Sequence, residues 1–333
     1  MVFISFYSFN EKDIHVLDKF EFEHGRVLEN VEVSYTTYGI PKYDEDGYIV
    51  NAVLFFSTFS EQFSFLYSSH QYIKDNSDFK DDDFFFIDVG PLGYPDSCSP
   101  STTGLRNHFP HYTILDMVNF QRQFLAEKFK FKKILGLIGE GVGGFQVLTW
   151  ACEYPDDMDF IFVLNSSAKF SGYKYLIAKV MENIINSSDD IDSNEYSSSL
   201  SKILVSINSL LFAHSSSKES FNNMHNYQLD VILDEFIDDG FFRDVHDIKI
   251  RNECNLQYDI EDKISNIKAK SLFVSTNDNF FNYKLDMFPL NEKIKDSILL
   301  RQEYEKEDYY FSNEEYDIIG TEVISFLSQF VEK

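Results

Sequence analysis

The chain predicts an α/β fold: a mostly parallel, doubly wound sheet carrying one inserted helical lid. Three observations lead there. Apolar runs of strand length alternate with stretches of helical periodicity. A glycine-rich turn joins one such run to one such stretch. The strand-like runs then vanish between about residues 166 and 262 before resuming. Alternation of this kind packs helices on both faces of a parallel sheet.

The elements follow in order. Phe20-Glu21-Phe22-Glu23 and Val31-Glu32-Val33-Ser34-Tyr35 alternate as half-buried strands do, and His24-Gly25 and Glu29-Asn30 supply turn residues, so a β-meander is expected. Residues 50–56 and 83–88 are apolar runs of the kind that form buried parallel strands. Asp81-Asp82-Asp83 reads as a solvated turn, and His108 and His111 as structural residues at the mouth of a helix. That helix covers residues 113–130, with Thr113 and Asp116 at the cap and first-turn positions. A strand at 133–138 leads into the glycine turn and a helix, and Phe160–Leu164 forms the next strand. Serine-rich tracts at 187–199 and 215–217 are loops within the lid, the sheet resumes at 271–276, and a last helix runs from about Glu314 to the end. The expected organisation is a core at 1–165, a lid at 166–262 and the rest of the core at 263–333.

Composition bounds the function. With 333 residues and 44% hydrophobic content the chain buries a large core. Its formal charge of −26, from 55 acidic and 29 basic residues, repels nucleic acid and anionic membrane, so neither is expected as a partner. No stretch reaches the ~18 consecutive apolar residues of a membrane span. Cys98, Cys152 and Cys254 are widely spaced and form no Cys-x-x-Cys pair, which indicates neither zinc nor a disulfide framework. A cytoplasmic setting without metal or cofactor is the expectation.

The most informative segment is Gly139-Glu140-Gly141-Val142-Gly143-Gly144. A nucleophile elbow, G-x-nucleophile-x-G, needs glycine two residues either side of the nucleophile because the turn is too sharp for side chains there. Gly139 and Gly143 take those places, and Gly141 stands where the nucleophile belongs. Gly139, Gly141 and Gly144 also satisfy the dinucleotide fingerprint G-x-G-x-x-G. That motif calls for an acidic residue at the end of the next strand, where this chain has Asn165-Ser166-Ser167. The elbow is the better reading.

Several further stretches join the elbow in a consistent order. They are Val33-Ser34-Tyr35-Thr36-Thr37-Tyr38-Gly39, Pro91-Leu92-Gly93 with Ser99-Pro100-Ser101, Phe109 to Val118 with Gln121, Gly143-Gly144-Phe145-Gln146, and Trp150 to Asp156. Together they resemble the homoserine O-acetyltransferase family of the α/β-hydrolase fold, from about residue 20 to the end and most weakly in the lid. The resemblance implies an elbow serine that takes an acetyl group from acetyl-CoA and passes it to homoserine, with an aspartate and a histidine completing the triad. Carried onto this chain, the serine position falls on Gly141, the acid on Asp278 and the histidine on Glu307. The backbone oxyanion donors fall on Val142 and near Phe59. The family's substrate-binding arginine has no counterpart between Arg122 and Arg243, and Lys174 or Lys179 would be its substitute as a point charge. Cys98, on a loop with Ser97 and Ser99, is a candidate for a displaced nucleophile, although a lone loop cysteine without a nearby histidine is more often inert. His214, His225 and His246, the histidines beyond the elbow, lie in or beside the lid.

The functional expectation is a pseudoenzyme of acyltransferase descent. It would bind a small molecule in its vestigial pocket or a partner protein, as a homodimer or heterodimer through the lid. The alternative is acyl transfer or hydrolysis with Asp278 or Glu307 as base, two carboxylates that would share a proton or a cation if close. A third reading is a dinucleotide-dependent oxidoreductase.

Overall fold

Residues 12–56, 77–95, 97–192, 197–214, 221–240, 243–275, 285–301 and 313–331 are described by the computed structural model. Strands β1 (Asp13–Glu21) and β2 (Val27–Tyr38) form an antiparallel hairpin closed at Phe22–Arg26, where Gly25 adopts a φ of 85°. The expected second turn at Glu29-Asn30 lies inside β2 instead. Asn30 takes the left-handed conformation at φ 54°, which its short polar side chain tolerates, and the ladder passes over it between Val31 and Glu29. The meander is therefore a single hairpin.

The expected buried strands are present as β3 (Ala52–Phe56) and β4 (Phe85–Val89), and every residue of β3 is buried. β5 (Ile134–Glu140), β6 (Met158–Leu164), β7 (Lys270–Ser275) and β8 (Ser297–Arg301) complete an eight-stranded sheet among the described residues, in the order β1-β2-β4-β3-β5-β6-β7-β8. From β4 to β8 all neighbours are parallel, while β1 and β2 run antiparallel along one edge. The outermost strand β8 has no counterpart in the sequence reading.

Helices cover both faces, as strand alternation requires. Ile161 and Val163 of β6 join the core shared with α1 (Ile114–Lys128) and α2 (Val142–Glu153), and Phe160 and Phe162 join the opposite core with α8 (Asn313–Leu327). The start of α1 is fixed by a capping box: the Thr113 hydroxyl accepts from the Asp116 N–H, and the Asp116 carboxylate accepts from the Thr113 N–H. Asp116 also accepts from the Glu23 N–H at 2.7 Å, tying the helix to the hairpin.

Between β6 and β7 the described residues contain four α-helices and no strand of the sheet. These are α3 (Gly172–Ile185), α4 (Ser198–Phe212), α5 (Asn226–Gly240) and α6 (Val245–Leu256). This segment leaves and rejoins the core through an antiparallel neck, where Phe170 N–H donates to Tyr258 O and Ile260 N–H donates to Ala168 O, both at 2.9 Å. It has an apolar cluster of its own, built around Leu200, Leu204, Ile207 and Val245. A short α7 (Phe288–Lys293) precedes β8. No helix among the described residues is long and apolar enough to cross a membrane.

Candidate functional site

The glycine turn joins β5 to α2 at the C-terminal end of the strand, where an open α/β sheet presents its ligands. Gly141 sits at the turn with φ 54° and ψ −115°, a conformation that strains any residue with a side chain. Its neighbours have no room for side chains. A Cβ at Gly143 would lie 1.9 Å from the Phe56 carbonyl oxygen, and one at Gly139 would lie 2.6 Å from the Gly143 carbonyl oxygen. At Gly144 a Cβ would meet Ser166 at 2.5 Å. Protein atoms thus account for all three glycines as elbow corners, and the dinucleotide reading is not needed to explain them.

Hydrogen bonds hold the turn on both sides. Gly141 N–H donates to Leu164 O at 3.1 Å, and Gly141 O accepts from Phe145 N–H at 3.2 Å as the first bond of α2. Val142 is the first residue of that helix, so its N–H precedes the intrahelical ladder. Gly141 O also accepts from the buried Ser166 hydroxyl at 2.8 Å. The sequence reading used Asn165-Ser166-Ser167 only against the dinucleotide motif and missed this pin. A serine one residue past an apolar strand gives no signal until the neighbouring strand is known.

The stretches that carry the family resemblance are supports for the turn. Gln121 donates to Gln146 at 3.0 Å between α1 and α2, with both side chains buried. Trp150 and Arg122 both donate to Asp157 at 2.9 Å, and the Arg122 guanidinium stacks over Tyr154. Ser101 anchors its loop to α6, donating through its N–H at 2.8 Å and its hydroxyl at 2.6 Å to the buried Asp247.

Asp278, Glu307 and Phe59 lie outside the described residues. Cys98 is buried, and desolvation, reinforced by the Glu32 carboxylate, pushes its thiol up to about 12. A thiol so placed stays protonated at neutral pH, the condition of an inert cysteine and not of a displaced nucleophile. Lys174 is corrected as a carboxylate anchor. Only 3% exposed, its ammonium donates to Asp286 at 2.6 Å and to the Ser167 hydroxyl at 2.7 Å. Burial pulls its pKa down while the adjacent Asp286 carboxylate opposes that shift, and the two side chains are already paired. Lys179 is paired with Glu182 on its own helix.

The buried His246 places Nδ1 3.2 Å from Asp244 and Nε2 3.2 Å from Ile191 O, so it ties the start of α6 to the 3-10 turn Asp189–Asp192 between α3 and α4. His225 stacks on Tyr227, and His214 meets Tyr173. His111 pairs with Glu253 at 2.8 Å. Asp83 accepts from the Lys80 N–H and pairs with Lys42, as a turn residue. No group of three His, Cys, Asp or Glu converges as a metal set among the described residues.

No protein-family model matches the chain. A probable acyltransferase of Methanothermobacter thermautotrophicus is 34% identical over 282 residues, 84% of this chain and 86% of that protein. A homoserine O-acetyltransferase of Pasteurella multocida is 24% identical over 186 residues, 52% of this chain and 50% of its own length. Among solved structures, an acetylester hydrolase from Corynebacterium glutamicum superposes with a TM-score of 0.77 at 19% identity, covering 95% of this chain and 96% of that one. Homoserine O-acetyltransferase from Bacillus anthracis gives a TM-score of 0.75 at 16% identity, covering 97% and 99%. The structural likenesses establish the α/β-hydrolase fold and the first relative establishes descent: the chain belongs to the homoserine O-acetyltransferase-like acyltransferase family of the α/β-hydrolase fold.

Proposed function

We propose that this acyltransferase relative is a non-catalytic binder, a pseudoenzyme that recognises a small molecule at the glycine turn or a partner protein. The observation that carries the reading is Gly141, which keeps the backbone conformation of a nucleophile position without a side chain to attack. Transfer through an acyl-enzyme needs a hydroxyl or thiol and a base to take its proton. Gly141 lacks the first, and Glu307 stands where the resemblance places the imidazole. The Val142 N–H, at the start of α2, remains as a donor for a ligand's carbonyl or carboxylate oxygen. The protein would act in the cytoplasm, without a cofactor, as a homodimer or heterodimer through its lid helices.

Intact-mass measurement after incubation with acetyl-CoA tests this reading. The chain is expected to remain unacetylated while acetyl-CoA persists. An acetyl adduct on the native chain would contradict it and direct attention to Asp278 and Glu307 as the base of a substituted mechanism.

A further inference from the structure

Both ring nitrogens of His246, which is only 1% exposed, face oxygen. Nδ1 lies 3.2 Å from an Asp244 carboxylate oxygen, and Nε2 lies 3.2 Å from the Ile191 carbonyl oxygen. A carbonyl oxygen only accepts. The Asp244 oxygen already accepts from the His246 backbone N–H at 2.7 Å as the cap of α6, so it too stands as an acceptor. A neutral imidazole has one N–H and can serve only one of the two. Serving both takes a second ring proton, which makes the ring an imidazolium beside a carboxylate.

The ring sits at a joint between the inserted helices and the core. Ile191 belongs to the turn Asp189–Asp192, between α3 and α4. Asp192 accepts from Asn107 of the core at 3.2 Å, and Lys249 of α6 donates to Asn107 at 2.8 Å. Asp247, next to His246, accepts from Ser101 of the core. Residues beside both imidazole contacts thus seat the inserted segment on the core.

The surrounding charges favour the second proton. The cap and first turns of α6 bring Asp244, Asp247 and Lys249, and the turn brings Asp189, Asp190 and Asp192. Asp190 accepts from the Ser197 and Ser199 hydroxyls. On α3, Lys179 pairs with Glu182 and Lys174 with Asp286, while Lys202 of α4 is exposed. Arg106 and His108 flank Asn107 on the core side. Carboxylates therefore outnumber cations at the joint itself.

On losing a proton, the ring keeps the N–H that faces the Asp244 charge, and a lone pair turns toward the Ile191 carbonyl. The buried carbonyl then loses its donor. Asp244 is held by its own cap, whereas Ile191 lies 55 residues away in sequence, so the turn is the partner that gives way. We propose that His246 is a proton-operated latch, which as imidazolium holds the Asp189–Asp192 turn against α6 and on deprotonation frees it, loosening the seat on Asn107. The protonated form favours the closed joint, so the latch holds at lower pH and releases as pH rises. It stands apart from the proposed function, because the seat is the same whether the glycine turn binds or reacts.

Two measurements on the full chain test the latch. Ring-nitrogen chemical shifts of histidine-labelled protein, assigned with His246→Gln, read the proton. Hydrogen exchange of residues 187–192 and 101–108, corrected for the intrinsic pH dependence of the rate, reads the joint. At about pH 6 His246 is expected to show two protonated nitrogens, with both segments protected. As pH rises, one nitrogen should lose its proton and exchange of both segments should quicken severalfold in the same step. His246→Gln should abolish the step. Asp244→Asn, which keeps a capping oxygen without the charge, should move it to lower pH. Circular dichroism should show both variants folded. The proposal is overturned by a single protonated nitrogen at about pH 6 or by proton loss without faster exchange. A step that survives in His246→Gln, or stays in place in Asp244→Asn, overturns it equally.

Discussion

The elbow and helix α5 are built by opposite rules. At the elbow, backbone meets backbone: Gly143 lies against the Phe56 carbonyl, and Gly139 against Gly143. Helix α5 half-buries Leu229 and Leu233, packs by Phe236 on Phe212 at its C-terminal end, and leaves Tyr227, Val231 and Ile232 exposed. The elbow corners have no freedom to vary, because any side chain there displaces the sheet. Position 141 is held by its backbone hydrogen bonds to Leu164, Phe145 and Ser166, none of which needs a side chain at 141.

The contrast sharpens into predictions of decreasing size. Gly143→Ala forces a Cβ onto the Phe56 carbonyl and should destabilise the chain by about 3 kcal/mol or more, read by urea unfolding. A milder effect would mean that β3 and α2 can separate. Lys174→Met leaves the partly buried Asp286 without its ammonium, for an expected loss of about 2–3 kcal/mol. Gly141→Ser keeps the fold but places a side chain at φ 54°, costing about 1–2 kcal/mol. A neutral or stabilising result would show that the turn relaxes away from its strained geometry. The last prediction concerns the reactivity of Cys98. Burial pushes its thiol up to about 12, so the protonated form favours the fold: this contribution is fully present below pH 9 and is lost as pH rises toward 12. Alkylation of Cys98 in the folded chain at pH 8 should be negligible, and rapid labelling would mean that its loop opens.

Much of this architecture is legible in the sequence because local chemistry and tertiary demand agree. The Thr113–Asp116 box, the apolar run of β3 and the spaced glycines each have one good structural solution. The reading fails where context overrides a local signal. Asn30 looks like a turn and is absorbed as a twist within β2. β8 sets only Ile298-Leu299-Leu300 between Ser297 and Arg301, where β3 is apolar throughout, so its run does not stand out. Lys174 reads as a free cation until Asp286, 112 residues away, neutralises it. Ser166 gains its role only because β6 ends beside the elbow. Of the site itself, the strand-turn-helix frame and the empty position at 141 were legible, whereas the pin and the paired lysine were matters of distance in space.

The central claim is that the frame is intact and its chemistry absent. Turnover of acetyl-CoA with homoserine, measured for the native chain, Gly141→Ser and Gly141→Ser/Glu307→His, tests it most directly. The account predicts no turnover above the uncatalysed rate for the first two and measurable transfer by the double variant. Turnover by the native chain would contradict it.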